Sequence, residues 1–300
     1  MNAPIVVFTY SRLLHTKRTV ESLLDNHLVN DSDLIIYSDA AHSPDKQKAV
    51  DDVRAYLATI KGFRSVTIKH RIINYGLSKS IIQGVTEVLQ QSDRVIVLED
   101  DMVTSPYFLT YMNEALKRYV DDDRIASIHG YVYPVNQLLP KAFFIQGADC
   151  WGWATWRRGW AIFNQNGQYL LDELKRRKLV RTFDYNGAYP YLEMLKAQIE
   201  GRNDSWAIRW YASAFLAGKL TLYPGRSLVH NIGNDNSGTH CGDSEVFDTE
   251  LSKTSICLDN IKVVSSKEAR KAFEKYFRQR TECIYKRLTR KLSSFINMNL

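Results

Sequence analysis

The segment that most constrains this chain is Arg94-Val-Ile-Val-Leu98-Glu99-Asp100-Asp101, an apolar, β-branched run ending in three consecutive carboxylates. A strand with no polar alternation is buried on both faces, which requires a sheet covered by helices on two sides. Acids at its carboxyl end then lie where such sheets bind ligands. The rest of the first half agrees with this. Pro4 to Thr9, Leu34 to Tyr37 and Ser65 to Arg71 read as strands. Between them, Val20, Leu23, Leu24 and His27 fall at helical spacing, and Val50, Val53, Leu57 and Ile60 do so after Ser43-Pro44, an N-cap followed by proline at the first helical position. Leu77, Ile81, Val85, Val88 and Leu89 define a third helix after the Asn74-Tyr-Gly76 turn, and Tyr107, Phe108, Tyr111, Met112, Leu116 and Tyr119 a fourth. The alternation predicts an α/β fold: a doubly wound, mostly parallel, Rossmann-like sheet flanked by helices.

With 300 residues we expect one such domain over 1–245, divided into halves at 122/123, and a helical C-terminal extension over 246–300. No GxGxxG follows the first strand and no GxxxxGK[ST] occurs, which argues against a dinucleotide-binding domain and a P-loop NTPase. Cys150, Cys241, Cys257 and Cys283 show no CxxC spacing and read as reduced thiols, without zinc. Met1-Asn2-Ala3-Pro4 has no signal-peptide character and no apolar run reaches the ~18 residues of a membrane span, so a cytoplasmic location is expected. The net charge of +7 resides between Lys267 and Lys291, where ten Lys/Arg face three Asp/Glu. The remaining chain is neutral, so a nucleic-acid footprint over the body is not expected.

Three adjacent acids at a buried strand tip suit one chemistry in particular. A nucleoside-diphosphate sugar has a pyrophosphate leaving group whose charge a hard divalent cation offsets, and carboxylates hold such a cation. The bland alternative is a solvated loop that caps the next helix. Glycosyl transfer also needs a base across the cleft from the metal, for the acceptor hydroxyl. Asp204, in Gly201-Arg-Asn-Asp-Ser-Trp206, is the first candidate, with simple N-capping as its alternative; Asp149 is the reserve. Trp151 and Trp153 could form a stacking platform for a sugar acceptor, while Trp156 and Trp160 read equally well as core of a helix. Leu228 to Gly242, with three glycines, reads as a mobile loop whose His230 or His240 could reach a phosphate or the metal.

Residues 95–108, Val-Ile-Val-Leu-Glu-Asp-Asp-Met-Val-Thr-Ser-Pro-Tyr-Phe, resemble the metal-binding strand and helix of the N-acetylglucosaminyltransferase I family. Cys150-Trp-Gly-Trp-Ala-Thr-Trp-Arg-Arg158 and Asp204-Ser-Trp-Ala-Ile-Arg-Trp210 are similar to bacterial glycosyltransferases of surface-polysaccharide synthesis. The resemblance spans roughly residues 4–242 and implies the GT-A type of fold. It implies an inverting transfer from a UDP-sugar, with Mn2+ or Mg2+, to a saccharide or lipid-linked saccharide in lipopolysaccharide or capsule synthesis. By position it makes Asp101 the metal ligand and gives Glu99 and Asp100 the donor sugar and ribose. Asp39 would take the uracil edge, Arg12 the nucleotide and Asp204 the proton; Thr9 is a nucleotide-sugar candidate by its place at the end of the first strand. The family's uracil-contacting histidine falls near Ser78, with Lys79 as its replacement, and the family's Trp-Asp-Asp-Trp is Asn-Asp-Ser-Trp in this chain.

Ala272, Phe273, Tyr276, Phe277, Ile284, Leu288, Leu292 and Phe295 recur at three and four residues on a basic background. Two readings are open: a peripheral anchor on the cytoplasmic face of an anionic inner membrane, or a helix packed on the domain. A sugar-nucleotide pyrophosphorylase is the enzymatic rival, but Thr9-Tyr-Ser-Arg-Leu-Leu14 lacks its glycine-rich loop. A non-catalytic carbohydrate-binding protein would explain the tryptophans but not the acidic triplet.

Overall fold

The computed structural model of the protein describes residues 1–235 and 247–280. In chain order the first half contains β1 (Ile5–Thr9), α1 (Leu13–Leu24), β2 (Asp33–Ser38), α2 (Pro44–Leu57), β3 (Ser65–His70), α3 (Gly76–Gln91) and β4 (Arg94–Glu99). There follow β5 (Met102–Thr104), α4 (Phe108–Arg118), β6 (Ile125–His129), β7 (Ala142–Gln146), β8 (Trp153–Trp156), α5 (Arg157–Trp160) and α6 (Gly167–Arg176). The last elements are α7 (Val180–Phe183), α8 (Tyr191–Ile199), α9 (Trp206–Leu216), β9 (Leu220–Pro224), β10 (Val229–Asn231) and a helix over 267–280.

Eight strands form one sheet in the order β3-β2-β1-β4-β8-β6-β9-β7. Strands β7 and β8 run antiparallel to their neighbours and the other pairings are parallel, so the doubly wound, mostly parallel sheet expected from the pattern is the one observed. The apolar runs feed two cores. Ile5, Val7, Ile96 and Leu98 pack with Leu23, Val53 and Met112 of α1, α2 and α4. Val6, Phe8, Val95 and Val97 face the other way, onto Ile81 and Val85 of α3 and onto Trp153 and Trp210. Alternate residues thus serve opposite faces, which is why no polar period is visible in the sequence. Gly84 permits the close approach of α3, since a Cβ there would lie 2.6 Å from the Phe8 ring. Strand order reverses between β1 and β4, and the loops after both open onto the same crevice.

Two expectations are corrected. Trp153 to Trp156 is a strand, not a platform or helix: β8 pairs antiparallel with both β4 and β6. Part of the segment expected to be a mobile loop is ordered, because β10 pairs antiparallel with β5 immediately after the acidic triplet. Of the two readings open for the tail, its described part takes the packed one. Leu258 belongs to the first core, and Ala269, Ala272, Phe273, Tyr276 and Phe277 are buried beside Phe143 and Tyr223. The apolar face of 267–280 is therefore covered by the domain and cannot also face lipid; Ile284, Leu288, Leu292 and Phe295 lie outside the described residues. Among the described residues no helix is long and apolar enough to cross a membrane.

Candidate active site

The ends of β1, β2 and β4 and the start of α3 enclose a cleft of about 540 Å³. It brings together Thr9, Arg12, Asp39, Glu99, Asp100, Asp101 and Asp204 from distant parts of the chain. Its floor is the acidic triplet. Burial, then repulsion from Asp101 and Asp100, pushes the Glu99 carboxyl up to about 8; Trp206 hydrogen-bonds to it. Burial likewise raises Asp100, to about 6, against the opposing pull of Arg12. Burial also opposes the charge of Arg12 itself, but Asp100 and Asp101 outweigh it and hold the guanidinium above its ordinary value. One nitrogen of Arg12, Nη2, donates to both carboxylates: to Asp100 Oδ1 and, at 2.7 Å, to Asp101 Oδ2. The hydroxyl of Thr19 donates to the Asp100 carbonyl and Ile232 N–H to the Asp101 carbonyl, which fixes the turn.

Asp39 is positioned differently from the expectation that it reads a nucleobase. Its Oδ1 accepts from the Ala40 and Tyr75 backbone N–H groups, and its Oδ2 from Gly76 N–H and the Asn74 side chain. The carboxylate lines the cleft, but its acceptor capacity is engaged at the start of α3. Asp204, by contrast, is exposed at the cleft wall and makes no hydrogen bond among the described residues. The capping role that competed for it belongs to Ser205, whose hydroxyl accepts from Ile208 N–H at 3.2 Å.

Other residues expected at the site lie elsewhere. Asp149 is outside the cleft, its Oδ2 accepting from Tyr133 and Tyr223 at 3.3 and 3.4 Å. Lys79 is exposed, its ammonium stacked over the Tyr75 ring at 4.4 Å. Trp153 is buried among Trp160, Trp206 and Trp210, so no sugar can stack on it; Trp151 is partly exposed and meets Tyr131 edge-on at 4.8 Å. His230 pairs with the Thr249 carbonyl at 2.9 Å on β10, and His240 lies outside the described residues. The cleft also contains Tyr10 and, from the turn before α3, Asn74, together with His42 and Lys46, which no sequence pattern singled out. Their signal was position: the loop following β2 opens on the same sheet edge as the loop following β1. There the Tyr10 hydroxyl and His42 Nδ1 are 2.9 Å apart.

The carboxylates of the triplet are oxygen donors of the kind a hard cation takes. Asp101 Oδ1 is buried and, among the described residues, has no hydrogen-bond partner, a costly state for a carboxylate oxygen unless something else satisfies it. Among the described residues no three His, Cys, Asp or Glu side chains converge as a cage. A Mg2+-like ion held by one or two carboxylates draws its remaining ligands from phosphates and water, and this donor set fits that case.

No protein-family model matches the chain, and no curated protein does. Among solved structures it is similar to the mannosyltransferase PcManGT from Pyrobaculum calidifontis in complex with GDP-Man and Mn2+, at TM-score 0.33 and 13% identity over 44% of this chain and 35% of that one. It is also similar to S. aureus TarS 1–349, at TM-score 0.41 and 11% identity over 77% of this chain and 60% of that one. For S. aureus TarS the TM-score is 0.39 and the identity 12%, over 84% of this chain and 41% of the other. The chain thus spans about a third to three fifths of the length of the solved chains it matches.

Proposed function

We propose that this protein is an inverting, metal-dependent glycosyltransferase of the GT-A type. It would transfer a sugar from a nucleoside diphosphate, UDP in the first instance, to a hydroxyl of a saccharide or lipid-linked saccharide in surface-polysaccharide synthesis. The carrying observation is the pairing, in one cleft, of two carboxylates that lack hydrogen-bond partners among the described residues: buried Asp101, at its Oδ1, and exposed Asp204.

Asp101 would hold the cation, Mn2+ or Mg2+, with Asp100 beside it. When bound, that cation supplies positive charge against the departing diphosphate. The chain's own residues do the rest. Arg12 offers a guanidinium to phosphate oxygens, in the fork geometry that favours bidentate contact. Glu99, held by Trp206, offers its carboxyl group to a sugar hydroxyl. Asp204 takes the proton of the acceptor hydroxyl as its oxygen attacks the anomeric carbon. The bond from that carbon to the diphosphate oxygen breaks on the opposite side, inverting the centre.

Calorimetric titration of UDP, and of GDP in parallel, with Mn2+ or with EDTA, tests this on the wild type and Asp101→Ala. The expected result is binding that needs metal and is lost in the variant. If no nucleoside diphosphate binds with metal present, the reading is wrong.

A further inference from the structure

On the reading of this cleft as a nucleoside-diphosphate site, the position of Arg12 carries a further consequence. We infer that Arg12 is a resident counter-ion of Asp100 and Asp101 that keeps a bare divalent cation off Asp101 until a diphosphate draws the guanidinium away.

Arg12 Nη2 lies between the two carboxylates, donating to Asp100 Oδ1 and to Asp101 Oδ2. It offsets the charge of this pair in the unliganded protein, with His15 acting on Asp100 as well. Its side chain is 20% exposed and lines the cleft, so an entering ligand can reach it. The backbone beside Asp101 limits its turning on one side. Gly233 closes one side so tightly that a Cβ there would lie 2.1 Å from Asp101 Oδ2, and Asn231 Oδ1 accepts Gly233 N–H at 2.7 Å to hold that backbone in place. A cation arriving at Oδ1, which has no hydrogen-bond partner among the described residues, would therefore share one carboxylate group with a guanidinium. In a buried site like charges at that separation repel strongly.

A diphosphate changes the balance. Its oxygens match the guanidinium fork, and a contact there removes Arg12 from the carboxylates while adding negative charge beside them. Asp101 then has both oxygens available. Metal and nucleotide bind with positive coupling, each raising the affinity for the other by the same factor. Arg12 is a positioning residue here, acting on metal affinity through the two carboxylates.

The test is a Mn2+ titration of the full chain followed by the free-ion electron paramagnetic resonance signal, with and without UDP, on wild type, Arg12→Gln, Arg12→Met and Arg12→Lys. Wild type is expected to bind Mn2+ weakly alone and at least about tenfold more tightly with UDP, within the usual range of coupling. Arg12→Gln should bind Mn2+ alone at least about tenfold more tightly than wild type and lose most of the UDP effect, while Arg12→Lys, which keeps the charge but not the fork, should bind bare Mn2+ as weakly as wild type. Near-UV circular dichroism checks the fold, and Arg12→Met repeats the measurement if the glutamine variant is not native. Should the neutral variants bind bare Mn2+ no better than wild type while wild type still couples Mn2+ to UDP, the counter-ion role is overturned and the glycosyltransferase reading stands. Wild type that binds neither Mn2+ nor UDP overturns both.

Discussion

Asp39 Oδ2 accepts the Gly76 backbone N–H at 2.9 Å, which ties the end of β2 to the first turn of α3. With Tyr75 N–H on Oδ1, the carboxylate satisfies donors that the helix start leaves free and sits at the positive end of its dipole. Asp39→Ala should therefore lower the stability of the unliganded protein by about 1–2 kcal/mol, the usual worth of such a cap. Urea unfolding without nucleotide measures this. Unchanged stability combined with lost UDP binding would return Asp39 to the nucleobase role expected from the sequence.

This residue illustrates what is legible in the chain and what is not. Apolar runs such as Ile5 to Phe8 and Val95 to Leu98 announce the buried strands, and the acids after Leu98 announce the sheet edge, because both signals are local. Asp39 lies at the cleft, as its position after β2 implies, yet its partners come from residues 74 to 76, and no local pattern shows that its lone pairs are taken. The tryptophans mislead for a related reason. Trp153 and Trp156 flank Ala154 and Thr155 in a four-residue strand whose neighbours β4 and β6 are remote in sequence, and a run that short fits helix or strand equally. Asp204 and Ser205 stand side by side as possible caps; only the geometry of Ile208 N–H assigns the cap to Ser205.

Gly233 offers a test of how closely Asp101 is confined. A methyl group there would lie 2.1 Å from Asp101 Oδ2 and 2.9 Å from its Cγ. Gly233→Ala must push the carboxylate or the backbone aside, and overpacking of this kind costs about 1–3 kcal/mol. Metal-dependent UDP affinity should fall by at least about tenfold, the factor that corresponds to about 1.4 kcal/mol. Calorimetry gives the affinity. Wild-type affinity in the variant would show that Asp101 has more freedom than this packing allows.

Glu99 makes the stability of the metal-free protein depend on pH. Its carboxyl is raised from 4.5 to about 8 by burial and by Asp101 and Asp100. Between those values the folded chain keeps a proton that the unfolded chain releases, so stability falls as pH rises. The contribution is complete below about 4.5 and lost above about 8. Asp100, raised to about 6, contributes less, with the same sign, at the acid end. Glu99→Gln abolishes the Glu99 contribution, so urea midpoints in EDTA should decline less between about pH 5 and about pH 8 in the variant than in wild type. Parallel declines in the two proteins would mean that Glu99 titrates like an ordinary surface acid.

Two carboxylates compete for the role of base, and the surroundings of each predict how their variants divide. Asp149 is built into a hydrogen-bonded group. Its Oδ1 accepts Cys150 N–H at 2.9 Å, and the hydroxyls of Tyr133 and Tyr223 point at its Oδ2. Buried His129 accepts Trp151 N–H on Nε2, so its neutral ring carries the proton on Nδ1, 3.9 Å from Asp149 Oδ2. Burial lowers the pKa of His129 and keeps that ring neutral. An amide at position 149 would turn a donor toward these donors, so Asp149→Asn should lose about 1–3 kcal/mol of stability while leaving UDP binding intact. Asp204 has no such ties. Asp204→Asn should keep wild-type stability and UDP affinity and lower the rate of transfer about 10²- to 10⁴-fold, as removal of a general base does. Denaturant midpoints, calorimetry and initial rates of UDP release from UDP-sugars with acceptor present separate the two. The reverse division, a stable and inactive Asp149→Asn beside an active Asp204→Asn, would move the base to Asp149 and the acceptor with it.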